Sequence, residues 1–134
     1  MGRLALPMLA VAALGLSAAA SSGVQRDTAL RVTYWENGIA GSVTWRLGCS
    51  PPRGSLPRKA AACRRLAAGG PKLFAPLPPN IACTQIYGGP QKARVTGTVA
   101  GKRVWATFTR TNGCEIDRWS RVSPWLLPPG GVTG

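Results

Sequence analysis

Apolar and polar positions alternate with a period of two over Leu30, Val32 and Tyr34, interleaved with Arg31, Thr33 and Trp35. This is the pattern of a strand with one buried face. Asn37-Gly38 interrupts it, and Val43, Trp45, Leu47 and Cys49 resume the same period. The two stretches predict an antiparallel hairpin with a rather long connection. A second hairpin is clearer. Val95, Gly97 and Val99 alternate with Arg94, Thr96 and Thr98, Ala100-Gly101 marks a tight turn, and Val104, Ala106 and Phe108 continue the alternation against Trp105, Thr107 and Thr109. Between the hairpins the pattern changes. Residues 50–54 form a loop by composition, Ser55 and Pro57 suit a helix start, and residues 58–68 are alanine-rich, as a helix interior should be. Ala60, Cys63, Leu66 and Ala67 are expected on its apolar face, and Gly69-Gly70-Pro71 ends it.

Residues 76–90 obey neither period. Pro76-Leu77-Pro78-Pro79 and Gly88-Gly89-Pro90 flank Asn80-Ile81-Ala82-Cys83-Thr84-Gln85-Ile86-Tyr87. Proline fixes φ and removes a donor, so this stretch is expected to be an extended, exposed loop outside any sheet, tethered midway by Cys83. A loop that exposes Ile86 and Tyr87 calls for a reason, because large apolar side chains in the open mark sites of interaction. After the second hairpin, Asn112-Gly113-Cys114 reads as a turn into one or two helical turns over residues 115–119, and residues 123–127 as a short edge strand. No internal repeat is present. The pattern is that of an α+β domain spanning residues 29–127, with a flexible leader at 21–28 and a flexible tail at 128–134.

Composition changes the picture first at the N-terminus. Met1-Gly2-Arg3 precedes an apolar stretch running from Leu4 to Leu16, and Ser17-Ala18-Ala19-Ala20 offers small residues before the polar Ser21-Ser22-Gly23. This is the layout of a signal peptide over residues 1–20, and its apolar part is too short for a membrane span. A secreted, extracellular protein with no membrane attachment after cleavage follows. Its removal takes Arg3 and lowers the net charge of +13 by one. The remaining basic residues are scattered without a run of five or six, and no nucleic-acid-binding motif accompanies them, so no specific nucleic-acid partner is expected.

The four cysteines, Cys49, Cys63, Cys83 and Cys114, all follow the signal segment. An even count in a secreted chain implies two disulfides, with three connectivities open. Spacing argues against a metal site, because there is no C-x-x-C pair and no histidine. Catalysis is equally hard to build. The absence of histidine removes the usual nucleophile–base pairs, and the carboxylates Asp27, Glu36, Glu115 and Asp117 form no acid–base constellation. No nucleotide fingerprint suggests a cofactor. What remains is a stapled sheet and helix presenting one tethered loop, an architecture suited to recognition. A loop held in shape loses little freedom on binding.

Specific residues then point to a family. Ala61-Ala62-Cys63-Arg64-Arg65-Leu66-Ala67-Ala68-Gly69-Gly70, Cys83-Thr84-Gln85-Ile86-Tyr87, the hairpin from Val95 to Val104, and Asn112-Gly113-Cys114-Glu115 together resemble the Streptomyces subtilisin inhibitor family. The resemblance runs from about Leu30 to Leu127. It implies a five-stranded antiparallel sheet with two helices on one face, and pairing of Cys49 with Cys63 and of Cys83 with Cys114. It implies inhibition of subtilisin-like serine proteases by substrate-like insertion of the loop, with Gln85–Ile86 as the reactive bond and Cys83, Thr84 and Tyr87 as its flanks. Asn112 matches the asparagine that braces the loop from below, and a homodimer formed through the sheet is also implied. The chain departs from the family at Thr84, where relatives can carry proline, and at Gln85, which is neither bulky and apolar nor basic. The alternative compatible with the composition is a secreted basic protein that binds an anionic cell-wall polymer or nucleic acid and inhibits nothing.

Overall fold

In the computed structural model the two alternating stretches pair as strands β1 (Ala29–Trp35) and β2 (Ser42–Gly48), and the second hairpin is β3 (Lys92–Val99) with β4 (Lys102–Phe108). The structure describes residues 27–130 and the isolated positions 2, 7, 10, 12 and 15. Most of the expected signal peptide, most of the leader and the last four residues of the tail lie outside the described residues. Helix α1 (Lys59–Gly69) follows β2, a 3-10 turn spans Pro71–Phe74, and helix α2 (Gly113–Arg121) follows β4.

The four strands form one antiparallel sheet in the order β2-β1-β3-β4. Val32 lies opposite Trp45 on β2 and Val95 on β3, and Val95 lies opposite Ala106 on β4. Register therefore follows the alternation, because a slip of one residue would turn the whole buried set to solvent. The inner face carries Leu30, Val32, Val95 and Phe108, which form one core with Leu66 of α1 and Trp119 of α2. The fold is α+β with two helices and two disulfides.

The sheet has four strands, not the expected five. Residues 123–127 form successive turns, with the Leu126 and Leu127 amides both donating to the Val122 carbonyl at 2.9 and 3.1 Å. The physical reason is legible in their burial. Trp125, Leu126 and Leu127 are all buried, and three consecutive side chains cannot reach one core from a strand whose faces alternate. Pro124 also offers no ladder donor.

Two local expectations are also corrected. On α1 the buried positions are Ala62 and Leu66, one turn apart, whereas Ala60 and Ala67 are exposed. An apolar-face argument is weak where most of the apolar residues are alanine, because alanine carries little preference for either side. Ser55 does not cap α1. Its Oγ accepts the Arg46 amide at 3.0 Å and ties the loop to β2, while the helix begins at Lys59. The Cys49–Cys63 bridge joins the end of β2 to α1 across a Cα–Cα distance of 5.6 Å. Thr28, just before β1, receives the Cys49 amide on its carbonyl and the Ala100 amide on its hydroxyl. The ends of β1, β2 and β3 are thus tied together beside the bridge.

Candidate functional site, a loop pinned on both sides

The segment from Pro78 to Gly89 contains no helix or strand, and Ile81, Ile86 and Tyr87 are 49%, 62% and 61% exposed. Thr84 and Gln85 are exposed as well. The segment is nevertheless held in place by tethers from the end of β4 to the first turn of α2.

On the side preceding Gln85, Cys83 is bonded to Cys114, with the two Cα atoms 5.4 Å apart. Next to it the Gly113 amide donates to the Thr84 carbonyl at 2.9 Å. Gly113 packs closely under Thr84, and an added Cβ would force the Thr84 hydroxyl to turn away. On the side following Ile86, the Gly88 amide donates to the Arg110 carbonyl at 2.7 Å, and Arg110 Nε donates back to the Gly88 carbonyl at 3.2 Å. Both polar groups of Gly88 are therefore satisfied by one residue. Gly88 is buried, and a Cβ there would meet Ile116 Cδ1 at 2.8 Å. Between the two pins only Gln85, Ile86 and Tyr87 are free. All three side chains point into solvent.

The platform for these pins is rigid for identifiable reasons. Asn112 is the N-cap of α2, its Oδ1 accepting the Glu115 amide at 3.0 Å. This satisfies one of the helix's orphan donors. The carboxamide oxygen of Asn112 is thus engaged by the helix, one residue before Gly113, whose amide reaches the loop. Among the described residues no hydrogen bond from Asn112 Nδ2 to the loop is found. Arg110 is 7% exposed and lies over the Trp119 ring at 5.7 Å. Arg118 is the second buried cation. Its Nη1 donates to the Thr107 carbonyl at 2.7 Å and its Nε to the Ala75 carbonyl at 3.2 Å, while the guanidinium lies 4.3 Å from the Phe108 ring centre. Burial lowers its pKa from the ordinary arginine value, an effect opposed by Glu115, whose carboxylate lies 3.8 Å away. Arg118 thus ties α2 to β4 and to the root of the loop at once.

Of the residues named from the sequence, Cys83, Thr84, Gln85, Ile86, Tyr87, Asn112 and Cys114 come together in this one region. Cys49 and Cys63 stand apart and serve the sheet. Arg110 and Arg118 carry no signal in the sequence, and Gly88 and Gly113 stand there only as parts of a flanking run and a turn. The two arginines resemble any others in a chain with seventeen Lys and Arg. Only the distances reveal that these two are buried and hydrogen-bonded to carbonyls. Among the described residues no group of His, Cys, Asp or Glu could hold a metal ion. No described helix is long and apolar enough to cross a membrane.

Comparison with known proteins adds three findings. A family model described as subtilisin inhibitor-like matches residues 26–112, which is well over half of the chain. Among solved structures, the chain is similar to Streptomyces caespitosus sermetstatin, crystallised in complex with Bacillus licheniformis subtilisin. The two share 24% identity with a TM-score of 0.48, and the match covers 76% of this chain and 99% of that one. A search of curated proteins found no match.

Proposed function

The chain belongs to the subtilisin inhibitor-like family, whose members are protease inhibitors and not enzymes, and we propose that it inhibits subtilisin-like proteases by presenting residues 83–87 as a substrate that cannot leave. The observation that carries this reading is the pair of pins on either side of Gln85–Ile86. A serine protease attacks the Gln85 carbonyl and expels the Ile86 amine as leaving group. In an ordinary substrate that amine diffuses away. Here Gly88 remains bound to Arg110, and Cys83 remains bonded to Cys114, so the new ends stay fixed to residues four apart in one stretch of chain. The amine is held at a high effective concentration beside the acyl-enzyme, and religation competes with hydrolysis. Preorganisation also spares the ordering cost of binding, which decides affinity more than buried area does. The protein acts outside the cell on this reading, consistent with two disulfides and the apolar N-terminal segment.

The direct experiment is a titration of the disulfide-bonded protein against subtilisin, followed by mass spectrometry. Stoichiometric inhibition with a slow, reversible clip between Gln85 and Ile86 is expected. Cleavage at any other bond would remove these residues from the mechanism.

Two substitutions separate the pins from the platform. Arg110→Met keeps an apolar stem over Trp119 but leaves the buried Gly88 carbonyl without its charged donor. A hydrogen bond from a charged group contributes about 1.5–3 kcal/mol, so inhibition should weaken roughly 10- to 100-fold, with faster cleavage of the loop. Unchanged inhibition constants would show that the backbone bond at Gly88 suffices alone. Asn112 should act through its cap. Asn112→Ala should cost about 1 kcal/mol of stability and loosen the seat of Gly113 and Cys114, whereas Asn112→Ser, which can still cap, should keep most inhibition. If serine fails as badly as alanine while thermal stability is restored, Asn112 braces the loop through its amide and not through the helix.

A further inference from the structure

The face of the sheet turned away from the core is strongly basic. Arg31 on β1 lies directly opposite Arg46 on β2, and Arg94 and Lys92 follow on β3, with Arg103 on β4. Like charges placed opposite one another destabilise a sheet, so a patch of this kind calls for a reason. None of these cations has a carboxylate partner among the described residues. The two ion pairs found, Arg118–Glu115 and Arg121–Asp117, are both on α2. Of the two remaining side-chain carboxylates, Asp27 precedes β1 and Glu36 follows it.

Two further features give the patch a shape. At one end, Arg31, Arg46 and Arg53 line an open basin of about 680 Å3 together with Ala29, Gly48 and Gly97. Both glycines are tightly packed against their neighbours. A Cβ at Gly48 would lie 2.6 Å from the Arg53 guanidinium carbon, and one at Gly97 would overlap the Ala29 carbonyl. Arg53 is held in place by the Cys49 carbonyl at 3.0 Å. Beside the basin, Trp105 stands 67% exposed on β4, opposite Thr96, with the Arg94 guanidinium 5.5 Å from its ring centre. An exposed tryptophan amid arginines on an open sheet combines the two elements of single-strand recognition, a charged track for the backbone and an aromatic platform for a base.

We propose that this face binds single-stranded nucleic acid without sequence preference, with phosphates at Arg31, Arg46 and Arg53 and a base stacked on Trp105. The proposal goes beyond protease inhibition and does not rest on it, since the face lies outside the pinned loop. The family resemblance implies a homodimer through the sheet, but charge complementarity favours this occupant over a second copy of the chain, because two such faces laid together would set Arg31, Arg46, Arg94 and Arg103 against like charges.

The test uses the full disulfide-bonded protein and fluorescent oligothymidylate of about 20 nucleotides, with anisotropy and tryptophan emission as readouts. Binding should quench tryptophan fluorescence, and log affinity should fall with log salt at a slope of about −2, as expected for three contacted phosphates. Trp105→Ala should weaken binding about 10-fold. Arg31→Ser with Arg46→Ser should weaken it at least as much and flatten the salt slope by about 1–2. All variants should still inhibit subtilisin, which reports an intact fold. Arg58→Ser with Arg65→Ser removes the same charge at exposed positions by and on α1, and should change binding less than twofold if the sheet face is the site. Three results would overturn the proposal. One is an equal loss in this α1 pair, which would reduce the effect to net charge. Another is base-free polyphosphate competing as well per phosphate with no role for Trp105. The third is a salt-resistant dimer in sedimentation that Trp105→Ala dissolves, which would assign the face to a second copy.

Discussion

Replacing Gln85 with lysine should confer trypsin inhibition about 10²- to 10³-fold stronger than that of the natural chain. Gln85 is the first residue of the three-residue span between the pins, exposed and free of internal partners among the described residues, so its side chain is available to fill the pocket that selects the residue before a cleaved bond. Trypsin's pocket carries a carboxylate. Seating a neutral glutamine there leaves that charge desolvated and unpaired, a loss of about 3–5 kcal/mol, whereas a lysine ammonium restores the pair. Subtilisin-like enzymes, which the natural glutamine already suits on this reading, should change far less. The two inhibition constants measured side by side check the assignment. The net charge of +13 provides no alternative route, since adding one cation to it cannot alter pocket selectivity. If trypsin inhibition does not move, the residue entering the pocket is not Gln85.

Severing the pin on the other side of the bond should turn inhibitor into substrate. With Cys83 and Cys114 both changed to alanine, the Thr84 carbonyl keeps only its hydrogen bond from Gly113, worth about 1 kcal/mol. The natural bridge closes a loop with a sequence separation of 31 residues. In the chain-entropy model such a loop stabilises the fold by roughly 3–4 kcal/mol. The sheet and α2 should survive, because Trp119 is fully buried and Asn112 still caps the helix. Circular dichroism should therefore report a folded protein at 25 °C with a lowered Tm. Progress curves against subtilisin should show inhibition that decays within minutes, and mass spectrometry should show two separate fragments cut at Gln85–Ile86. A folded variant that stays intact and inhibitory for hours would mean that the hydrogen bonds at Gly88 and Thr84 suffice, and that the bridge serves stability alone.

The chain by itself determined the four strands, the alanine-rich helix, the exposed loop and the cysteines that tether it. Strand alternation and proline's missing donor are local consequences of residue type, readable within a few positions. The residues gathered around Gln85 were also legible, because the cysteine framework and Asn112 carry a family resemblance. Tertiary structure alone decided the rest. The stretch at 123–127 has strand-like composition, yet it turns because Trp125, Leu126 and Leu127 all find space in the same core. Arg110 and Gly88 are separated by 22 residues, and Arg118 and Ala75 by 43. Hydrogen bonds over such distances leave no local periodicity, so a buried arginine clamp looks in sequence like one more surface cation. The same holds for the basic face. Arg31 and Arg46 look scattered along the chain, and only the pairing of β1 with β2 sets them side by side, because register and not sequence distance determines which charges share a surface.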